Sequence, residues 1–329
     1  MIISKTPFRI SFFGGGTDFP IWYKKNRSKV INVAINKYCY VIVRKLPPFF
    51  KFNYRLKYYK TEEVTKISSI KHPVVRESLK LLKYKKNFEM VHTADLPAQS
   101  GLGASSSFTV GLLNSLYRLN NLKINKKDLA NTSIFLEQKK IKETVGSQDQ
   151  IVASNGGFNI INFYNDKYNL KKVPFHLKNI QILRKNLLLV FSGFSRSAQQ
   201  IEKKKIKRHF RNIKFLEEIA KISNKAERAI YESKNIISDF SELLNEHWFY
   251  KKKLADEVSN SKINRLISSG LDNGAEGAKL LGAGNGGFIM FLVNETKREK
   301  LKRNFSKNLI VPVDFDLKGS EIIYNSENE

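Results

Sequence analysis

Cysteine is almost missing from this chain. A single Cys39 stands among 329 residues, which excludes an internal disulfide and a cysteine-rich zinc site. Histidine is also scarce. Its five residues are scattered and form no His-Glu-x-x-His, which argues against a zinc hydrolase of that kind. Apolar runs are only a few residues long, far short of the roughly 20 that a membrane span needs. The first nine residues run straight into strand-like sequence without a signal-peptide pattern. Together these absences lead us to expect a cytoplasmic protein. No Gly-Lys dipeptide occurs anywhere, so a Walker-type phosphate loop is excluded. Acidic residues are outnumbered, 30 against 58 Lys and Arg, for a net charge of +28. Such a balance suits nucleic-acid binding, steering of anionic substrates, or simple drift toward lysine. The basic residues are spread along the whole length, and the one dense run, 203–214, interleaves only Phe210. Steering and drift are therefore favoured, with no nucleic-acid partner expected and the dense run read as an exposed helix face.

Glycine is absent between Thr17 and Ser100 and again between Phe194 and Ser269. Of the 18 glycines, 16 fall in four clusters, at 14–16, 101–111, 146–157 and 270–287. Glycine costs backbone entropy, so clusters mark places where the chain turns or approaches something closely. The most telling stretch is Pro97-Ala-Gln-Ser-Gly-Leu-Gly-Ala-Ser-Ser-Ser107. An apolar helix is predicted directly behind it, from about 106 to 116. The amides of residues 104–107 would be that helix's unpaired first-turn donors, and with the positive end of its dipole they favour a phosphate. The hydroxyls of Ser105, Ser106 and Ser107 would add hydrogen bonds or a magnesium ligand. A plain capped turn is the alternative. A second glycine-rich loop, 277–287, precedes the apolar strand 288–293 and is expected to pack against this cradle; a glycine-rich hairpin is the alternative there.

With these features the chain resembles the GHMP kinases, the family of galactokinase, homoserine kinase, mevalonate kinase and phosphomevalonate kinase. Three motifs carry the resemblance in order: Pro7-Phe-Arg-Ile-Ser-Phe-Phe-Gly-Gly-Gly-Thr-Asp18, the 97–107 loop and the 277–287 loop. Gly15 and Gly16 replace the Glu-His pair of the galactokinase branch, and the Gly-Gly-Gly-Thr-Asp version is similar to D-glycero-D-manno-heptose 7-phosphate kinases. Residues 35–38, 146–150, 156–157 and 192–197 fit that branch too. Ala104 stands where a Ser or Thr is usual, and Ala98-Gln99 where Pro-Gly is usual. Neither change removes a backbone amide.

The resemblance implies an α+β fold of two domains, with an active site in the cleft between them. The N-terminal domain, 1–175, would contain a left-handed βαβ unit and bind sugar and ATP phosphates; 176–329 would form the C-terminal domain. It implies ATP and Mg2+ as cofactors, a sugar phosphate as small-molecule substrate, and no membrane partner; it leaves a homodimer open. Asp149 would be the general base, with Arg9 beside it stabilising charge. Pro97, Ser100, Gly101, Leu102, Gly103, Ala104, Ser105, Ser106 and Ser107 would hold the nucleotide phosphates. Gly14, Gly15, Gly16, Thr17, Asp18, Arg196, Gly284 and Gly286 would meet the sugar. Glu137, with Ser105 or Ser106, would bind Mg2+. The implied reaction is phosphorylation of the anomeric hydroxyl of heptose 7-phosphate, toward nucleotide-heptose and capsule or other surface glycans. An anomeric kinase of another sugar such as fucose, or a binding protein of this fold without turnover, is the alternative.

Strands are predicted at 2–13, 30–35, 38–46, 88–91, 158–163, 187–191, 288–293 and 310–315. Helices are predicted at 74–83, 108–118 and 127–140, with a long, broken helical region from 197 to about 269.

Overall fold

The computed structural model describes residues 1–194 and 198–326, with only the backbone described at 198–200 and 209–211. In the first half, β1 (Ile2–Phe13) and the short α1 (Pro20–Tyr23) lead into an 18-residue strand, β2 (Ser28–Lys45). A hairpin of β3 (Tyr54–Lys57) and β4 (Thr61–Val64) follows, then α2 (Pro73–Leu81) and β5 (Phe88–Ala94). Next come α3 (Ala104–Leu119), α4 (Lys126–Phe135), α5 (Gln148–Asn155) and the pair β6 (Phe158–Tyr164) and β7 (Lys167–Val173). The second half begins with α6 (Lys178–Lys185), β8 (Leu187–Phe191) and three helices, α7 (Ala198–Lys207), α8 (His209–Glu232) and α9 (Ile236–Lys253). It continues through α10 (Ser261–Asp272), β9 (Ala275–Leu280), β10 (Phe288–Val293), α11 (Glu295–Asn304), β11 (Ile310–Val311) and β12 (Glu321–Asn325).

Two sheets result. The first runs β12-β1-β2-β5-β3-β4, with β6 on the N-terminal part of β2 and β7 beyond it; the second runs β11-β8-β10-β9. Every pairing is antiparallel except β3 with β5, whose crossover contains α2. The sheets change over in the connection between β7 and β8, and β12 carries the end of the chain back to the edge of the first sheet.

Helix α3 is buried on nearly every face and lies across β1 and β2. Gly111 lets it settle there: an added Cβ would meet Thr6 Oγ1 at 2.8 Å, and Ser4 donates to the Gly111 carbonyl at 2.9 Å. The mouth of α3 is thereby fixed relative to β1. That registration positions the site.

Three sequence expectations change. The strands read as 30–35 and 38–46 are one strand, β2, interrupted by a bulge where Pro7 pairs with Tyr38 but Phe8 pairs with Ile35. The polar Asn36-Lys37 that read as a break is the bulge itself. Its Asn36 amide donates to the Asp314 carbonyl at 2.8 Å, and its side-chain oxygen accepts from the Asp314 amide at 2.7 Å. The strand expected at 310–315 is correspondingly divided. Residues 310 and 311 pair with β8, Pro312 lacks an amide, and Phe315 bridges Ile35 of the first sheet. The helix expected at 127–140 ends as an α-helix at Phe135 and finishes as a π-turn over Leu136–Lys140.

Helix α10 supplies a test of the packing. Ala normally favours a helix over Gly by about 1 kcal/mol. At Gly270, however, an added Cβ would lie 2.2 Å from the Phe291 ring. Overpacking of that kind costs roughly 1–3 kcal/mol. Gly270→Ala is therefore expected to lower stability, measured as a reduced urea midpoint with unchanged slope.

Candidate active site

A cleft of about 380 Å³ lies where the glycine clusters converge. Its back wall is the start of α3. Gly103 caps that helix in the left-handed conformation, φ 77° and ψ 21°, and no side chain caps it. With the helix beginning at Ala104, the amides of residues 104, 105 and 106 are its first-turn donors. The expected set of 104–107 is one residue too long, because the Ser107 amide bonds the Gly103 carbonyl at 3.0 Å. Ser107 also turns its hydroxyl away, onto the Pro7 carbonyl at 2.8 Å. Leu102 is buried and accepts from the Arg9 amide at 2.9 Å. Pro97 is exposed and does not line the cleft, whereas Ser100, Gly101, Gly103, Ala104, Ser105 and Ser106 do.

The third glycine motif folds as a hairpin, β9 into β10, and its turn packs on the cradle. A Cβ on Gly101 would stand 2.7 Å from the Leu281 carbonyl oxygen, and one on Gly287 would stand 2.4 Å from that of Ser100. Phe288 donates to the Ser100 carbonyl at 3.1 Å. Both readings of 277–287 therefore hold together. Gly284 and Gly286, expected to meet the sugar, press on Val258 and Phe194 instead, and Gly282 and Ala283 face the cleft.

Under the cradle lies the pair expected from sequence. Asp149 sits in the first turn of α5, and Arg9 grips it in a fork: Nε to Oδ1 and Nη2 to Oδ2, each at 2.7 Å. The remaining guanidinium nitrogen donates to the Gly101 carbonyl at 2.8 Å. A Cβ on Gly103 would come within 3.1 Å of Arg9 and 3.3 Å of Asp149, so the pair is directly below the helix mouth.

Asp18 also lines the cleft, with Gly15 and Gly16. It accepts from the Gly16 amide at 3.0 Å and is raised to about 6, chiefly by burial and next by the charge of Asp149. Gly146 makes room for it; a Cβ there would lie 1.9 Å from Asp18 Oδ2. Gly14 and Thr17 brace the loop from behind. Gly14 abuts the Lys29 carbonyl, and Thr17 bonds Gly14 and Ser28. Ser11 Oγ, Ser100 Oγ and Gln148 Oε1 are buried cleft atoms without a protein partner, which marks them as waiting for a ligand or water. Arg196 lies outside the described residues.

Glu137 stands in the π-turn, a feature that often marks functional sites. It is fully buried and pushed up to about 7 by that burial, although Ser106 and Gln150 donate to it. Ser106 donates to Oε2 at 3.0 Å, while Oε1 has no partner.

Among the cleft residues that sequence reasoning missed are Glu202, Lys205, Lys251 and Lys279. Lys205 belongs to the basic run read as an exposed face, yet it points inward and bonds the Ala283 carbonyl at 2.6 Å. A signal for Lys251 did exist. Phe240, Leu244, Trp248 and Lys251 recur at helical spacing along the buried face of α9.

Residues 70–157 match the family model described as GHMP kinases N terminal domain, and 227–311 match GHMP kinases C terminal. The chain is 29% identical, over 93% of its own length and 93% of the relative's, to the D-glycero-alpha-D-manno-heptose 7-phosphate kinase of Campylobacter jejuni. It is 24% identical to the bifunctional fucokinase/GDP-fucose pyrophosphorylase of Arabidopsis thaliana, over 97% of this chain and 32% of that one. Among solved structures, a D-glycero-D-manno-heptose 1-phosphate kinase from Bacteriodes thetaiotaomicron superposes with a TM-score of 0.80 at 22% identity, covering 99% of this chain and 100% of the other. Two matched domain models in order, a fold shared over the full length, and three glycine motifs meeting at one cleft have a single explanation: the chain belongs to the GHMP kinases.

Proposed function

We propose that the protein transfers the γ-phosphoryl group of ATP to the anomeric hydroxyl of D-glycero-D-manno-heptose 7-phosphate, giving the 1,7-bisphosphate and ADP. The observation that carries this reading is the Arg9–Asp149 fork directly beneath an uncapped helix mouth. In the proposed reaction the amides of residues 104–106 hold the nucleotide's phosphates. Asp149 takes the proton of the anomeric hydroxyl as its oxygen bonds to the γ-phosphorus and the bond to the β-phosphate oxygen breaks. Arg9 steadies the carboxylate and lends positive charge as charge redistributes on the phosphoryl group. Asp18, with Gly15 and Gly16 at its side, accepts hydrogen bonds from sugar hydroxyls.

The residues fit a magnesium ion. Glu137 has a buried oxygen without a partner, beside the Ser106 hydroxyl, and both are hard oxygen donors. Glu137 with Ser106 or Ser105 would hold the ion, which when bound supplies charge to the phosphate oxygens. No group of three or more His, Cys, Asp or Glu suited to a metal occurs among the described residues, so such a site relies on its ligand's oxygens and water.

The heptose substrate rests on the Campylobacter relative, and the surface-glycan role and cytoplasmic setting follow from that substrate. The Arabidopsis relative favours a second reading, an anomeric kinase of fucose.

ADP release measured over a panel of sugars and sugar phosphates, with phosphorus NMR of the product, tests the proposal. Turnover confined to seven-carbon 7-phosphates is the expected result; turnover of unphosphorylated hexoses alone rejects it. Asp149→Asn is expected to keep ATP affinity and lose about 10²–10⁴-fold in kcat. A near-normal rate would remove Asp149 from the chemistry. Asp18 adds a pH dependence. Its proton is held up to about 6, and only the ionised form is purely an acceptor. The kcat/KM for the sugar is therefore expected to rise with pH through about 6, and Asp18→Asn should abolish that limb. The same raised value means the folded state binds this proton more tightly than the unfolded chain. Asp18 thus subtracts stability as pH rises from its usual carboxylate range through about 6, and the Asn variant should melt higher at neutral pH.

A further inference from the structure

Lysine is abundant on this molecule's surface, yet only Lys205, Lys251 and Lys279 are buried among the described residues. All three line the one cleft. They come from separate elements, α7, α9 and β9. Their ammonium groups are anchored mainly by backbone carbonyls. Lys251 donates to Leu280 at 3.0 Å and Gly282 at 2.6 Å. Lys279 donates to Phe12 at 2.7 Å and meets His247 Nδ1 at 3.4 Å. Lys205 donates to Ala283 at 2.6 Å and to Glu202 at 3.1 Å. An ammonium carries three N–H donors, so two partners each leave one donor over on every lysine. Neither Lys251 nor Lys279 has an ion pair among the described residues.

Buried like charges without counter-ions are costly. Lys279 is pulled down to about 7 by burial and then by Arg9 and Lys205. Lys251 is pushed well below the usual ammonium range by burial and then by Lys279 and Lys205. His247 is held neutral by burial and both lysines. Glu202 is the carboxylate whose charge reaches Lys251, and it already pairs with Lys205. An arriving anion would satisfy what the protein leaves open. The cradle at 101–106 does not do so, since what it offers a phosphate is the backbone amides of the α3 mouth and not these ammonium groups.

We propose that Lys205, Lys251 and Lys279 form a second anion site in the cleft, whose three remaining N–H donors take one phosphoryl dianion. This rests on the kinase reading only for the identity of the dianion. It is either the phosphate ester of the acceptor sugar or the γ-phosphoryl group of the nucleotide.

The test is a calorimetric titration of the ADP-saturated protein with inorganic phosphate near pH ~8, in two buffers of different ionisation enthalpy. ADP fills the amide cradle, so phosphate reports on the lysines. We expect saturable binding with net proton uptake, because Lys279 gains a proton when a dianion arrives. Lys279→Met should reduce the uptake to what Lys251 contributes, and Lys251→Met or Lys205→Met should weaken phosphate binding by about tenfold or more with ADP affinity unchanged. Should either interior variant fail to fold, Lys205→Met at the rim carries the test. Phosphate binding of wild-type strength in the variants, or none in the parent protein, overturns the proposal. Displacement of phosphate by heptose 7-phosphate but not by unphosphorylated heptose assigns the site to the acceptor. Displacement by a non-hydrolysable ATP analogue but not by the sugar phosphate assigns it to the γ-phosphoryl group. These readouts need no turnover. Lysine-dependent phosphate binding in a protein that does not phosphorylate heptose 7-phosphate would leave the site standing and remove the substrate.

Discussion

Backbone meets backbone where Gly101 touches Gly282, and the cleft exists because it does. A Cβ on Gly282 would lie 2.5 Å from the Gly101 Cα, a separation that no side-chain-bearing residue tolerates. The contact joins the loop before α3, in the first half of the chain, to the β9–β10 turn of the second. Its consequences spread outward through single bonds. The Gly101 carbonyl accepts from Arg9, Arg9 holds Asp149, and the Gly282 carbonyl on the other side accepts from Lys251. Five segments distant in sequence are thus drawn to one cleft. A shift of the turn would loosen the acid–base pair and the lysine floor together.

That dependence explains which parts of the site were readable from the chain alone. Close backbone approach demands glycine, and glycine is visible in sequence. Hence the cradle, the third loop and the place for Asp18 beside Gly146 all left marks. The Arg9–Asp149 pair was reachable only through the motifs around it, since one arginine in a strand has no distinguishing pattern. Gly284 and Gly286 show the limit of the same logic. They are glycines for the same steric reason as Gly282, yet what they approach is Val258 and Phe194 rather than a ligand. Composition says that something comes close; it does not say what.

Elements with one apolar face were likewise legible, and those without one were not. β10, with six buried residues in a row, and α3, apolar nearly all round, declare themselves. β7, which reads Lys-Tyr-Asn-Leu-Lys-Lys-Val and is exposed along most of its length, exists because β6 offers an edge to pair with. The β2 bulge was misread for a related reason. Asn36 and Lys37 are polar because the bulge is satisfied by the returning segment at Asp314, a partner almost 280 residues away. Tertiary context there overrides local pattern.

The net charge of +28 divides into two populations that obey different physics. Surface lysines are solvated, cost little, and are free to accumulate by drift; their spread along the chain needs no ligand. Lys205, Lys251 and Lys279 cannot be explained so cheaply. Desolvation opposes Lys251 and Lys279, and the neighbouring charges of Lys205 and Arg9 add to it at both. Random replacement by lysine at an apolar interior position would ordinarily be lost through instability. These three persist where carbonyls of β1 and of the β9–β10 turn have been turned toward them. The Gly282 and Ala283 carbonyls that pin Lys251 and Lys205 belong to the same glycine turn that closes on the cradle. Charge for an anion and the backbone contact that shapes its space therefore meet at one piece of chain.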